Sequence, residues 1–254
     1  MLSRYEAFMD GVALSSIDPS IYVLDIRPGD IAPEFTLKNA AGRNGSIIAK
    51  KTYAKATVEI DFEIHEYDVR KRQTICRKVQ RWADGKVLKT SDRPGQLLHS
   101  VCEKYPVVTA RDWTSPVAMV FSGYAPPFWE EESPVTVTLS GTSGSAQKYI
   151  PGNAENTLAR ATLTASASIS SFSVTVDGKT LSFSGLSLSS GDTVTIDYDD
   201  YLFLRIRKGN SSIMNKRSGN SADELKATCG KINTFSFTSS GSASVTFYVN
   251  GWWL

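Results

Sequence analysis

The stretch that decides the fold is ATVEIDFEIHEYDVRKRQTICRKVQRWADGK, Ala56 to Lys86. From Ala56 to Ile64 apolar residues (Val58, Ile60, Phe62, Ile64) alternate with Thr57, Glu59, Asp61 and Glu63. This period of two belongs to a strand with one buried face. At Tyr67 the period changes. Val69, Cys76, Val79 and Ala83, flanked by Ile75 and Trp82, fall on one stripe at helical spacing. Arg70, Lys71, Arg77, Lys78 and Arg81 take the solvent side. Asp68 is the expected N-cap and Gly85 the stop of a helix over 67–83. No set of His, Cys and carboxylates converges on this unit, so it reads as architecture.

Outward from there, the first half reads as short strands. Tyr5 to Phe8 and Ile21 to Ile26 are expected to pair, with Asp10-Gly11 as a turn. Pro33 to Asn39 is a further strand, and Gly42-Arg43-Asn44-Gly45 a polar hairpin tip or extended arm. Ile47 to Tyr53 continues that arm, a candidate for reaching a neighbouring subunit. After the helix come Lys86 to Ser91, a type II turn at Asp92-Arg93-Pro94-Gly95, then strands Gln96 to Cys102 and Val117 to Phe121. About six strands and one helix by residue 122 make an α+β or small-barrel arrangement. Gly123 to Glu132, with Pro126-Pro127-Phe128-Trp129 and three glutamates, breaks every period and marks a boundary. Two domains, 1–132 and 133–254, follow.

Beyond Pro134 the composition shifts to Ser, Thr, Gly and β-branched residues. Eight short strands are expected there: Val135 to Leu139, Leu158 to Ala165, Phe172 to Val176, Leu181 to Phe183, Thr193 to Tyr198, Leu202 to Ile206, Phe235 to Phe237 and Val245 to Val249. Turns at Asp177-Gly178, Ser190-Gly191-Asp192 and Gly241 separate them, and Leu225 to Gly230 fits neither pattern. The pattern argues a β-sandwich of jelly-roll type, and the whole chain is mainly β.

Composition excludes several function classes. A net charge of +2 on 254 residues lacks the basic excess of a phosphate-contacting nucleic-acid binder. No apolar run approaches the roughly 20 residues of a membrane span. Met1 to Gly11 carries Arg4, Glu6 and Asp10 and lacks the apolar core of a signal peptide. Cys76, Cys102 and Cys229 form no CxxC pair, so no disulfide framework is expected. His99 and Cys102 are three apart, but His65 and Cys76 are too widely spaced to complete a zinc site, so no metal or other cofactor is expected. There is no GxSxG, no HExxH and no glycine-rich phosphate loop, and adjacent Asp199-Asp200 reads as a turn. The chain is expected not to be an enzyme.

The order of parts resembles the distal tail protein family of siphovirus-type bacteriophages. The matching elements are Phe8-Met9-Asp10-Gly11-Val12, the Gly42 to Gly45 loop before a long strand, and Thr57 to Ile64 running into an Arg-rich helix that ends at Trp82. Pro126-Pro127-Phe128-Trp129, Gly230-Lys231-Ile232-Asn233 and Trp252-Trp253 complete the set. Where that family more often carries a Cys and an Asp at the boundary, Gly123, Tyr124 and Ala125 stand here. The resemblance implies a split-barrel first domain forming a homohexameric ring and a galectin-like second domain. It also implies a place in the virion, at the tail tip, after assembly in the host bacterial cytoplasm. The implied partners are the tail tube protein, the tail-associated lysin or baseplate hub protein and a receptor-binding protein, with DNA passing only as cargo. Ring contacts are then expected from the arm, 40–55, through Arg43, Asn44, Gly45, Lys50, Lys51 and Tyr53. Arg77 and Arg81 on the helix would add to them by meeting a neighbour's Glu59, Asp61 and Glu63. An alternative class is a carbohydrate-binding module or adhesin. Its contacts would come from Trp129, Trp252 and Trp253 as stacking rings and from Arg205, Arg207 and Asn210 as donors.

Overall fold

The computed structural model describes residues 5–39, 46–108, 116–124 and 126–254. The chain is mainly β and divides into two compact units, one running to Trp129 and one spanning Glu130–Trp253.

In the first unit β1 (Ala7–Met9), β2 (Val12–Ala13), β3 (Ile21–Pro28), β4 (Pro33–Asn39), β5 (Ser46–Tyr53) and β6 (Thr57–Ile64) precede the helix α1 (Val69–Ala83). Then follow β7 (Val87–Thr90), β8 (Gln96–Lys104) and β9 (Val117–Gly123). The main sheet runs β2-β1-β7-β8-β9-β6-β3, while β4 and β5 form a separate two-stranded sheet. β6 sits between β3 and β9, and Val58, Ile60, Phe62 and Ile64 are all buried. The alternation in the sequence therefore faces the core as written. Asp68 caps α1, its Oδ1 accepting from Arg70 N at 2.8 Å and Lys71 N at 3.3 Å. Ile75, Cys76, Val79, Trp82 and Ala83 form the buried stripe. Trp82 meets the edge of Phe121 on β9 at 6.1 Å between centroids and donates from Nε1 to Val12 O.

One expectation for this unit is corrected. The strand at Ala7–Met9 does not pair with Ile21–Pro28: β1 pairs with β2 and β7, and β3 pairs with β6. The reason lies at the turn, where the Asp10 carboxylate accepts from Lys86 N and Val87 N and so ties β1 to β7. Arg72, which the sequence reading assigned to neither face, joins the buried stripe of α1 at 2% exposure.

The second unit contains β10 (Trp129–Glu131), shared with the division, then β11 (Val135–Ile150), β12 (Asn156–Ala165), β13 (Phe172–Val176), β14 (Lys179–Phe183), β15 (Thr193–Tyr198) and β16 (Leu204–Lys208). After these come β17 (Ser211–Ser212), β18 (Lys226–Thr228), β19 (Lys231–Val249) and β20 (Trp252–Trp253). The strands are ordered β14-β13-β19-β12-β15-β16-β17, with β11 on β19 and β18 on β12. β19 is one 19-residue strand where two short strands were expected. Its first half pairs with β13 and its second half with β12.

Phe235 and Phe247, twelve residues apart on β19, nevertheless pack with ring centroids 5.4 Å apart, tilted by 57°. A straight strand would separate them by about 40 Å. β19 must therefore turn a corner, carrying its two halves into the two layers of a sandwich. The corner lies at Ser239 to Ser242, opposite a register shift between Gly141 and Ser143 of β11. Gly241, expected as a hairpin turn, marks this corner: a Cβ there would lie 2.2 Å from Ser168 O. β11 likewise runs on past Leu139, where the sequence suggested an end, because Gly141 bends it (φ +116°) without ending its pairing. The core between the layers is formed by Phe235, Phe237, Val174 and Phe183 against Leu163, Ile196, Val245 and Phe247.

Candidate functional site

The β4–β5 hairpin presents apolar side chains to solvent. Phe35 is 49% exposed, and the directly opposed Leu37 and Ile48 are each 58% exposed. A two-stranded sheet is marginal in isolation, and among the described residues these three apolar side chains make it a candidate contact surface. The base is anchored by Ala54 N donating to Ala32 O and by Tyr53 edge-on to Phe128 at 5.3 Å. Tyr53 thus supports the arm from its root. Lys50 and Lys51 lie along β5, with Lys51 Nζ 4.9 Å from the centroid of the Tyr53 ring. Arg43, Asn44 and Gly45 lie outside the described residues.

Arg77 and Arg81 are exposed on α1. The acidic strand face expected to receive them is already engaged within its own unit. Arg27 on β3 contacts Asp61 at 2.7 Å, Asp25 at 3.2 Å and Glu59 at 3.3 Å, and Glu63 holds His65 at 2.6 Å. The hydrogen bond to Asp61, with its charge, raises the Arg27 guanidinium above its ordinary pKa.

On the sandwich, Arg205 and Arg207 come together on one carboxylate that the sequence reading passed over. Asp197 accepts from Arg205 Nε at 3.1 Å, Arg205 Nη2 at 3.3 Å and Arg207 Nη2 at 2.7 Å. The strand pairing β15–β16 explains this, with Asp197 directly opposite Arg205. Beyond lies a row of hydroxyls in register across four strands, Thr138, Thr246, Thr162 and Thr195. Arg160, Asp197 and Tyr248 line a pocket of about 200 Å³ on this face. Alternation along β12, β15 and β19 was the signal that could have found these residues. Nearby, the hydrogen bond from Lys208 holds the Asp192 carboxyl below its usual range, and burial pushes the Tyr198 hydroxyl up to about 12.

The aromatic platforms fare differently. Trp129 is fully buried, with the Arg93 guanidinium 5.0 Å from its ring, so it is a core residue and offers no face to a sugar. Trp252 and Trp253 are half-buried. The Trp252 carbonyl accepts from Asn153 N and Ala154 N, and Trp253 Nε1 donates to Glu131. The most exposed aromatics of the sandwich are instead Tyr201 (78%) and Phe203 (70%), at the β15–β16 turn. Asn210 lies in the tight link between β16 and β17. Among the described residues, no group of three or more His, Cys, Asp or Glu is placed to hold a metal ion, and no helix is long and apolar enough to cross a membrane.

These elements define a two-unit, mainly β chain whose distinctive surfaces are a hairpin arm and a polar sheet face. The same fold occurs in the crystal structure of the SPP1 Dit protein, described as a paradigm of the hub adsorption apparatus in phages infecting Gram-positive bacteria. The match has a TM-score of 0.69 at 15% identity and covers 97% of this chain and 98% of that one. The phage P2 baseplate in its activated conformation with Ca contains a chain matched at a TM-score of 0.48 and 9% identity, over 99% of this chain and 98% of that one. The Sr-bound baseplate gives 0.47 and 9%, over 97% of each. No protein-family profile and no curated protein matches the sequence.

Proposed function

We propose that this chain is a non-enzymatic structural protein of a bacteriophage tail tip, a distal tail hub. In this reading the first unit builds a homohexameric ring that joins the tail tube to the baseplate or tail-associated lysin. The second unit docks peripheral proteins, a receptor-binding protein among them. The observation that carries the reading is a fold shared over nearly the full length of both chains with a protein described as an adsorption hub. The exposed apolar arm supports it. A ring is a heterologous assembly, which needs one protruding surface and a different receiving surface on each copy. Burying the exposed parts of Phe35, Leu37 and Ile48 at such a contact is worth roughly 1 kcal/mol each. A near-neutral chain also suits a lumen through which DNA passes without being held.

The test is solution mass by multi-angle light scattering with negative-stain imaging of the same peak, for the intact chain and for a variant with residues 34–52 replaced by a short glycine linker. The expected result is a holed particle of about six times 27.8 kDa for the intact chain and a monomer for the variant. A ring that persists without the arm would remove the arm from the interface. A monomer in both, at low and moderate salt and on addition of tail tube protein, would overturn the hub reading.

A further inference from the structure

We infer that the outer face of the β15–β16 hairpin is a saccharide-binding site, with Phe203 as the stacking ring and Arg205 and Arg207 as the donors that select an acidic sugar. Asp199 N donates to Phe203 O at 3.0 Å, which extends the Asp197–Arg205 and Thr195–Arg207 pairing by one more pair. Phe203, Arg205 and Arg207 therefore alternate along the chain and share a face with Asp197. A large aromatic ring is being held in water at that position, and the turn is built to hold it there. Asp199 Oδ1 accepts from both Tyr201 N and Phe203 N at 2.9 Å, and Leu202 takes a left-handed conformation (φ +63°) that a leucine adopts only under constraint.

The polar groups beside the ring are equally fixed. Asp197 clasps both guanidiniums, so their remaining N–H groups point in set directions. Arg207 Nε is buried without a hydrogen-bond partner. A sugar ring offers one apolar C–H face and a rim of hydroxyls, and its recognition needs a flat ring beside rigid donors and acceptors. The pocket containing Arg160 and Tyr248 continues the surface. A protein-docking patch would instead be centred on contiguous apolar area. Here the aromatic tip is bordered by charges and by the threonine row. Arg160, Arg205 and Arg207 set against Asp197 and Asp199 leave a net positive charge on this face, which favours a uronate or otherwise acidic saccharide over a neutral one.

The experiment is a printed array of neutral and acidic oligosaccharides probed with the full chain, followed by titration calorimetry of the retained glycans. The expected result is retention of acidic glycans. Phe203→Ala should weaken the affinity at least tenfold, Phe203→Trp should preserve it, and Arg205→Gln with Arg207→Gln should abolish the preference for acidic over neutral sugars. Near-UV circular dichroism and the solution mass of each variant separate loss of binding from loss of fold or of assembly. A blank array overturns the proposal, as does undiminished binding by Phe203→Ala. So does an array-silent protein whose Phe203→Ala variant loses a tail protein, which would make the surface a protein contact. None of these outcomes alters the ring test, so the two readings fail separately.

Discussion

Gly241 shows how much can rest on one missing side chain. Its Cα lies against the carbonyl of Ser168, and any Cβ must displace that backbone, which flanks the buried Ile169. Gly241→Ala is expected to destabilise the second unit by on the order of 3 kcal/mol, read as a lower denaturation midpoint at unchanged slope. A change within about 0.5 kcal/mol would mean that the corner relaxes freely. Arg72 presents the opposite case, a long charged side chain whose Nε and Nη1 are buried without hydrogen-bond partners. Unpaired buried donors cost stability, so Arg72→Met, similar in length and apolar, is expected to stabilise by about 1–3 kcal/mol in urea unfolding. A loss would show that the guanidinium is satisfied in solution. Neither environment is visible in sequence: Gly241 has the neighbours of a turn, and Arg72 sits in a basic run, because both depend on what packs against them.

At the scale of the element, α1 was the most legible part. Its cap, stripe and end follow from local rules: the carboxylate of Asp68 meets free amide groups, and the spacing of Ile75, Cys76 and Val79 sets the buried face. What the exposed Arg77 and Arg81 do is a question about assembly. Their expected partners Glu59 and Asp61 are already bound by Arg27, and exposed ion pairs contribute little, so a contact through this face depends on a summed field. Reversing Arg77 and Arg81 to Glu is expected to shift the light-scattering mass toward monomer at low salt, and less so near 1 M salt, where the screening length falls to about 3 Å. An unchanged mass at low salt would free the helix of any interface role. The β4–β5 hairpin was partly legible: its glycine-rich tip suggested an arm, but the exposure of Phe35, Leu37 and Ile48 emerges only when no covering element packs on them.

For the molecule as a whole, the second unit carries its own core, from Val137 to Val249, between two layers tied by β11 and β19. A fragment of residues 130–253 is therefore expected to unfold in one cooperative thermal transition with the near-UV spectrum of packed aromatics. A non-cooperative melt would show that its layers need the first unit. The fragment closes its own ends: Glu131 N donates to Gly251 O, and Asn250 Nδ2 donates to Glu131 O at 2.6 Å. First and last strands are thereby joined.

Sequence by itself determined the mainly β class, the helix over the second half of the organising stretch, and the change of composition after Pro134. These are properties of local periodicity and turn chemistry, and they survive in any fold that buries the same faces. Only the tertiary structure decided that Ala7–Met9 pairs with Val87–Thr90, that Trp129 is core, that one long strand serves both layers, and that Asp197 gathers Arg205 and Arg207 beside an exposed Phe203. Each depends on partners distant along the chain or on a cross-strand register. Pairing in β-sheets is set by long-range burial that a local pattern does not encode.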